Sequence, residues 1–400
     1  MNVDAKQTFS ARRRLLFLYF FTFAVGGASW LVRLPEVRTE LDVSVAVLGW
    51  VLFAGAVGAM SSLLAAGRFV SRFGARKAVI LGFTLLGIGQ LIQALSLIFL
   101  FVPGVAVGGL VAGLGYGIGD VGINVDGADL EKSSQRSLLP QLHGAYSLGA
   151  LLGAGLGTLL IAIHFPISWQ MMIVATVTTA IAWATYRMLP EATGKAAESP
   201  VLSDVEKQVP RKSSFPSRRI LLLGFGIMGL SLAEGGANDW LALSFVDGYR
   251  AEEVTAGIGF AVLTCFMVIT RFVGGRIVDR YGRVFALRVT IGLGIVGVVL
   301  MMSGLSVVLA MLGAAMWGIG VALGFPLFIS AASDGPSGSR DVSTVTSFGY
   351  AAFLAGPPTL GFLGQALGLL PMFGVLALAL IAALWFAGAA KSLDSSALAH

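Results

Sequence analysis

Gly67-Arg68-Phe69-Val70-Ser71-Arg72-Phe73-Gly74-Ala75-Arg76-Lys77 recurs, 208 residues later, as Gly275-Arg276-Ile277-Val278-Asp279-Arg280-Tyr281-Gly282-Arg283. Each copy closes one long apolar segment and precedes another, which makes it a short basic loop between two membrane helices, built once per half of the chain. Two matching halves in a membrane point to a transporter, because two similar bundles can rock about a site held between them. Working outward, Trp30 stands 37 residues before Gly67 and Trp240 stands 35 before Gly275. Tyr116-Gly117-Ile118-Gly119 is echoed by Trp317-Gly318-Ile319-Gly320.

Composition places the chain in a bilayer. Hydrophobic residues make up 56% and charged residues 12% of the 400 residues, and mean hydropathy is +0.86. A soluble domain carries about 25% charged residues. The 53 glycines suit membrane helices that approach closely through small side chains. The net charge of +6 is explained by loops on one side, not by nucleic acid. Cys265 is the single cysteine, and with three histidines it cannot build a typical zinc site. No G-x-x-x-x-G-K-[ST] stretch occurs, so ATP is not expected to drive the protein. The expectation is no cofactor, no metal, and no enzyme.

A membrane span needs about 20 mainly apolar residues. Twelve are expected, at 15–34, 45–66, 78–99, 101–124, 138–163, 167–188, 219–246, 254–274, 284–304, 306–330, 342–366 and 369–390. Arg12-Arg13-Arg14 before the first run resembles the start of a signal peptide. The run from Leu15 to Val32 exceeds the 7–15 residues of a cleaved core, so a retained span is expected. Of the 27 Lys and Arg, all but Arg33, Arg38 and Arg250 fall on the N-terminal side of the membrane. The positive-inside rule then puts both termini in the cytoplasm of a multi-pass, bacterial-type inner-membrane protein. Residues 190–218 contain Pro190, Pro200, Pro210 and Pro216 with serines and mixed charge, the composition of a cytoplasmic linker. The expected organisation is therefore all-α and pseudo-symmetric: an N-terminal six-helix bundle (1–189), the linker (190–218) and a C-terminal six-helix bundle (219–400), with a monomer as the expected state.

Twelve spans, two related halves and loops of the form G-x-x-x-D-R-x-G-R between spans 2 and 3 and spans 8 and 9 resemble the major facilitator superfamily. The resemblance covers nearly the whole chain and implies the major facilitator fold. The loop residues in question are Gly67, Arg72, Gly74 and Arg76 in the first copy and Gly275, Asp279, Arg280, Gly282 and Arg283 in the second. The first copy has Ser71 at the acidic position. Within the superfamily, Trp30-Leu31-Val32-Arg33-Leu34-Pro35, Asn124-Val125-Asp126-Gly127, Leu142-His143-Gly144-Ala145-Tyr146-Ser147-Leu148-Gly149 and Glu234-Gly235-Gly236-Ala237-Asn238-Asp239-Trp240 are similar to the MosC/YbjJ-like group. That similarity hints at sugar- or polyol-like solutes. The Gly-Pro pair of many exporters is absent from span 5.

Ionisable residues inside spans are costly and usually functional. Glu234 falls near the middle of span 7, with Ser231 and Asn238 on its face. A carboxylate there, away from cations, can take and release a proton during transport. Asp120 and Asn124, with Tyr116 four residues earlier, make a polar stripe in span 4. It is either a substrate or gating surface or a helix end nearing water, since Asp126 and Asp129 follow. His143 enters span 5 with Tyr146 and Ser147 on its face, and an imidazole suits proton coupling. Asp120 or Asn124 is its expected partner. Arg33 either snorkels at the outer end of span 1 or pairs with Glu36 or Asp239 as an outer gate. Arg271 is expected to snorkel at the inner end of span 8. Trp317 is either core or a stacking wall for a sugar ring. These readings favour proton-linked movement of a small polar solute by alternating access. The rivals are a proton-driven exporter of a metabolite or amphipathic compound, and a membrane sensor that kept the fold and lost transport.

Overall fold

The computed structural model describes residues 3–134, 138–195, 216–334 and 338–392. The linker expectation falls largely on 196–215, outside the described residues. The chain runs as α1 (Val3–Leu31), a short α2 (Leu34–Leu41), α3 (Val45–Phe73), α4 (Ala75–Ile98), α5 (Val102–Ser134), α6 (Leu139–Ala162), α7 (Ile167–Thr185), α8 (Arg218–Leu243), α9 (Glu253–Tyr281), α10 (Arg283–Met302), α11 (Val307–Ala322), α12 (Gly324–Ser333), α13 (Ser339–Leu367) and α14 (Leu369–Phe386). Helices are the only open-ended elements that satisfy their own backbone in hydrocarbon.

Among the described residues, eleven stretches are helical, long and apolar enough to cross a membrane, with α11 and α12 counted together as 307–333. The twelfth expected span, α13, is 29 residues long, about 43 Å at 1.5 Å per residue. It is more polar than the others, with Arg340, Asp341 and several hydroxyl residues at its start and Pro357 and Pro358 within it.

Several boundaries differ from expectation, spans 2, 4 and 8 running on to Phe73, Ser134 and Tyr281. Span 1 ends at Leu31 rather than 34, and the chain turns into α2. Pro35 in its first turn favours a fresh helix start, and Leu34, Val37 and Leu41 bury one face. Span 10 breaks between Ala322 and Gly324.

Helices α1 and α3–α7 pack as one bundle and α8–α14 as another. Both rely on close helix contacts at equivalent places. A Cβ on Gly82 of α4 would stand 2.4 Å from Gly119 Cα of α5, and one on Gly320 of α11 would stand 2.3 Å from Gly294 Cα of α10. Without a hydrophobic drive between helices in lipid, such backbone approach is what holds them together.

The seam between bundles is closed at the end opposite the basic loops, the outer end in the orientation that the positive-inside rule predicts. A Cβ on Gly49 of α3 would stand 2.7 Å from the Pro357 carbonyl of α13. The Val45 amide donates to Gln365 Oε1 at 3.1 Å, and Arg38 of α2 pairs with Asp247, just after α8. The core of the C-terminal bundle is continuous with Val32, Val45, Leu48 and Ala154 of the N-terminal one. Toward the inner end, the cluster around Leu16, Tyr19, Phe20 and Phe83 draws only on N-terminal residues. There, Arg76 bonds Glu191 and Arg283 bonds Asp334, each inside its own bundle. Helices α6 and α9 touch at Gly257 against Thr158 and again at Gly144 against Phe272.

Gly320→Val should force α11 off α10 and cost about 1–3 kcal/mol, the usual range for overpacking. The melting temperature in detergent should fall. Gly292→Ala, on the same α10 but with open space around its Cβ position, should leave it unchanged.

Candidate functional site

Midway through the membrane both bundles present polar groups to the seam. From α8, Glu234 Oε1 accepts from Arg271 Nη2 of α9 at 3.1 Å. Arg271 Nε donates to the Ala322 carbonyl at 3.3 Å. That carbonyl lies at the end of α11, where the break before Gly324 leaves it outside the helical ladder. Gly324 fits because a side chain there would strike Leu230 at 2.3 Å. The helix break therefore holds the guanidinium beside Glu234. The sequence-based expectation that Glu234 lies away from cations, and that Arg271 snorkels, is corrected by this pair. Helix α9 continues to Tyr281, so Arg271 sits deeper than a span ending at 274 suggests.

The N-terminal bundle faces this pair with hydroxyls. Tyr116 and Tyr146 share a hydrogen bond at 2.7 Å, and Tyr116 stacks on Phe23 with ring centroids 4.8 Å apart. Asn124 Nδ2 donates to Asp120 Oδ1 at 3.1 Å and to the Asp120 carbonyl at 2.9 Å. Tyr146 lies within electrostatic reach of Asp120, Arg271 and Glu234. Tyr350 of α13 lies within reach of Asp120 and Tyr116. Seven groups from the two bundles thus converge. Sequence reasoning placed Glu234, Asp120, Asn124 and Tyr116 there. It treated Tyr146 only as a neighbour of His143 and missed Tyr350, whose only available signal is its place in a glycine-rich, proline-containing span.

Other expected site residues are arranged differently. His143 is exposed and does not bond Asp120 or Asn124. Its ring meets Phe20 edge-on at 5.3 Å, and it lies within electrostatic reach of Arg271. Asn124 is already used by Asp120, four residues earlier on its own helix. Asn238 and Asp239 are half-buried and make no side-chain hydrogen bond or ion pair among the described residues. Trp317 is fully buried in the C-terminal core, edge-on to Phe373 at 5.1 Å, and offers no wall to a ligand. Asp126 is no helix end nearing water. It is fully buried and takes Arg12 Nη2 at 2.7 Å and Arg12 Nε at 2.9 Å.

Arg33 neither snorkels nor meets Asp239. Only 1% exposed, it donates twice to Glu36 at 2.6 Å, to Gln170 Oε1 at 2.7 Å and to the Phe165 carbonyl at 2.6 Å. It ties α1, α2 and α7 together, and the outer seam is bridged instead by Arg38 and Asp247. Burial, with Glu36 beside it, pushes the Glu40 carboxyl up.

The basic loops are built alike. Gly74 and Gly282 both take positive φ, 89° and 82°, which glycine adopts without strain. The Ala75 amide bonds the Thr193 carbonyl at 2.8 Å, and Arg76 also lies over the Tyr186 ring. Arg72 and Arg280 each cover the ring of the next residue, Phe73 and Tyr281. Asp279 is exposed, with no ion-pair partner among the described residues. Ser71 closes on its own helix through the Arg68 carbonyl at 2.9 Å. Gly67 and Gly275 have nothing within 4 Å of a notional Cβ.

Two helical bundles that pack along a seam and share a polar centre have the architecture of a secondary membrane transporter. The chain belongs to the Major Facilitator Superfamily, whose family model matches residues 15–348. It is 27% identical over 367 residues to an uncharacterized MFS-type transporter of Yersinia pestis, covering 91% of this chain and 92% of that protein. It is 26% identical over 365 residues to the membrane protein MosC of Rhizobium meliloti, covering 87% and 83%. In structure it resembles the nucleoside transporter NupG, with a TM-score of 0.77, 14% identity and coverage of 95% of this chain and 100% of that one. It also resembles FucP, with a TM-score of 0.62, 16% identity and coverage of 96% and 100%.

Arg33→Ala should cost about 3 kcal/mol, at the lower end for breaking a buried pair because Glu36 keeps some water. The expected readout is a lower melting temperature of the purified protein. Transport per folded molecule should be far less affected.

Proposed function

We propose that this chain moves a small polar solute across the bacterial inner membrane by alternating access, coupled to protons, with Glu234 as the proton carrier. The observation that carries this reading is the Glu234–Arg271 pair (3.1 Å), set at mid-membrane opposite the hydroxyls of Tyr116 and Tyr146. An ion pair at that depth is costly to leave half-made. A proton on Glu234 weakens its hold on Arg271, and its loss restores the pair, so the proton state of Glu234 biases how the bundles meet. Closure at the outer end makes the described conformation inward-facing. Opening the outer end requires Arg38 to leave Asp247 and Val45 to leave Gln365. The moving bodies in this reading are residues 1–189 and 219–400, joined by the cytoplasmic segment 190–218. Both termini lie in the cytoplasm, and the chain works as a monomer.

The side chains at the seam favour a polar solute over an amphipathic one. Tyr116, Tyr146, Tyr350, Asp120 and Asn124 offer hydroxyl, amide and carboxylate groups to hydrogen-bonding partners such as a sugar or polyol. Proteins of this fold with printed roles include a nucleoside transporter and a fucose:proton symporter, so polar cargo suits it. The exporter reading would need a cavity of Phe, Met and Leu. The sensor reading draws only on Ser71, whose local bond leaves the turn at Gly74 well formed.

In proteoliposomes, Glu234→Gln should abolish accumulation driven by a pH gradient while exchange of solute across the membrane continues. Measuring both in the same preparation separates lost coupling from lost folding. Full accumulation by Glu234→Gln would remove Glu234 from the proton path.

A further inference from the structure

Arg271 is only half used by the protein. Nε is taken by the Ala322 carbonyl and Nη2 by Glu234, whereas Nη1 has no protein partner among the described residues. Its side chain is 37% exposed. Across the seam, a Cβ on Gly144 would stand 3.3 Å from Phe272 Cζ. That contact sets their chain neighbours, His143 and Arg271, beside each other on opposite bundles. Neither ring nitrogen of His143 has a hydrogen-bond partner among the described residues, and His143 and Arg271 lie within electrostatic reach. Two nitrogen-bearing side chains from opposite bundles therefore stand near one another, and one of them, Arg271, is bonded to Glu234. A neutral imidazole still has one N–H to donate, and Arg271 Nη1 has its own to spare. An anion placed between them would satisfy both. The neighbouring surface is rich in hydroxyl and amide groups: Tyr116, Tyr146, Asn124 and, opposite, Tyr350.

We propose that the transported solute is a carboxylate on a hydroxyl-rich body, such as a sugar acid. Its carboxylate docks between Arg271 Nη1 and His143, and its hydroxyls meet Tyr116, Tyr146 and the Asp120–Asn124 pair. The proposal rests on the transporter reading above and names its substrate class. It also gives the coupling a chemical form. In the empty, inward-facing carrier Arg271 belongs to Glu234. A proton added to the Glu234 carboxylate frees Nη2, so that the guanidinium can present two N–H groups to the incoming carboxylate, the strong forked arrangement. One anion and one proton then cross together without net charge. On release, Glu234 returns its proton to water and recaptures Arg271. A single carboxylate fits better than a phosphate monoester, because only one guanidinium edge and one imidazole are on offer.

The test uses the full-length protein in detergent with a matched set of probes: D-glucuronate, D-gluconate, D-glucose, D-glucosamine and D-glucose 6-phosphate. Melting temperature is followed against concentration, and uptake is followed in proteoliposomes under a pH gradient. The two acids should raise the melting temperature at concentrations where the neutral, amine and phosphate analogues do not. Arg271→Gln should weaken acid binding by about 10- to 100-fold, the scale of a lost charged hydrogen bond. Since that variant strands Glu234, the double variant Arg271→Gln with Glu234→Gln is run beside it to separate misfolding from lost recognition. Glu234→Gln alone should keep acid binding and lose its pH dependence. Equal or tighter binding of glucose, glucosamine or the phosphate, or undiminished acid binding by the folded double variant, overturns the carboxylate assignment. If a non-acid probe binds and accumulates in a Glu234-dependent way, the transporter reading stands and only the substrate class falls. If no probe binds or accumulates, both fall.

Discussion

An ionised group far from water must be paired or bonded on every side, and this constraint organises the whole molecule. The charges near or inside the helices are few, and most are spent on fixed joints. Arg12 ties α1 to the buried Asp126 of α5. Arg33 ties α1 to α2 and α7. Arg283 ties the start of α10 to Asp334 after α12. Each joint lies toward one end of its bundle, where the bundle can stiffen without obstructing its centre. One pair alone, Glu234 with Arg271, stands near the middle with partial access to water. A joint in the middle that a ligand and a proton can reach is able to break and re-form.

Close backbone approach is the second constraint, and it explains the glycine content. The contacts of Gly82 with Gly119 and of Gly294 with Gly320 let paired helices share a surface without long side chains. Rigid bundles follow, and in the proposed cycle it is rigidity that lets a change at Glu234 move whole bundles rather than dissipate in local repacking. The outer seam uses the same device at Gly49 and Gly361, backed by one exposed ion pair. Such a pair is worth little by itself, which suits a contact that must be undone each cycle.

The repeated loops, the apolar runs and the side bias of Lys and Arg made the fold legible, because all three depend on composition over long windows. Glu234 and Asp120 were legible for a related reason: charge is conspicuous in an apolar run. What the windows hide is where a helix stops and which face it buries. From hydropathy, Arg271 falls three residues from the end of a span over 254–274; the helix reaches Tyr281, and the arginine is one to two turns deeper. Arg33 falls at the end of a span over 15–34; the helix stops at Leu31, and the corner that follows buries the side chain. Trp317 lies on the same motif as Tyr116, but the first packs on Phe373 and the second opens on the seam. No local pattern separates those outcomes, since both depend on the neighbour supplied by a distant helix.

The two halves agree at their ends and differ in their centres. Asp126 and Asp334 are 208 residues apart, the same offset as the loops, and each takes an arginine from near the start of a neighbouring helix. At the centre, α5 and α6 contribute tyrosines and an aspartate held only by an amide, whereas α8 and α9 contribute a full ion pair. That asymmetry has a consequence for coupling. With matched ion pairs in both bundles, a proton could be taken up on either side and would favour neither order of steps. In the proposed cycle the ion pair belongs to the C-terminal bundle and the hydroxyls face it from the other, so the proton on Glu234 and the hydroxyl contacts of the solute fall on different bundles across one seam. On that proposed reading the closed form is reached only when both surfaces are satisfied together, which is the condition for tight coupling.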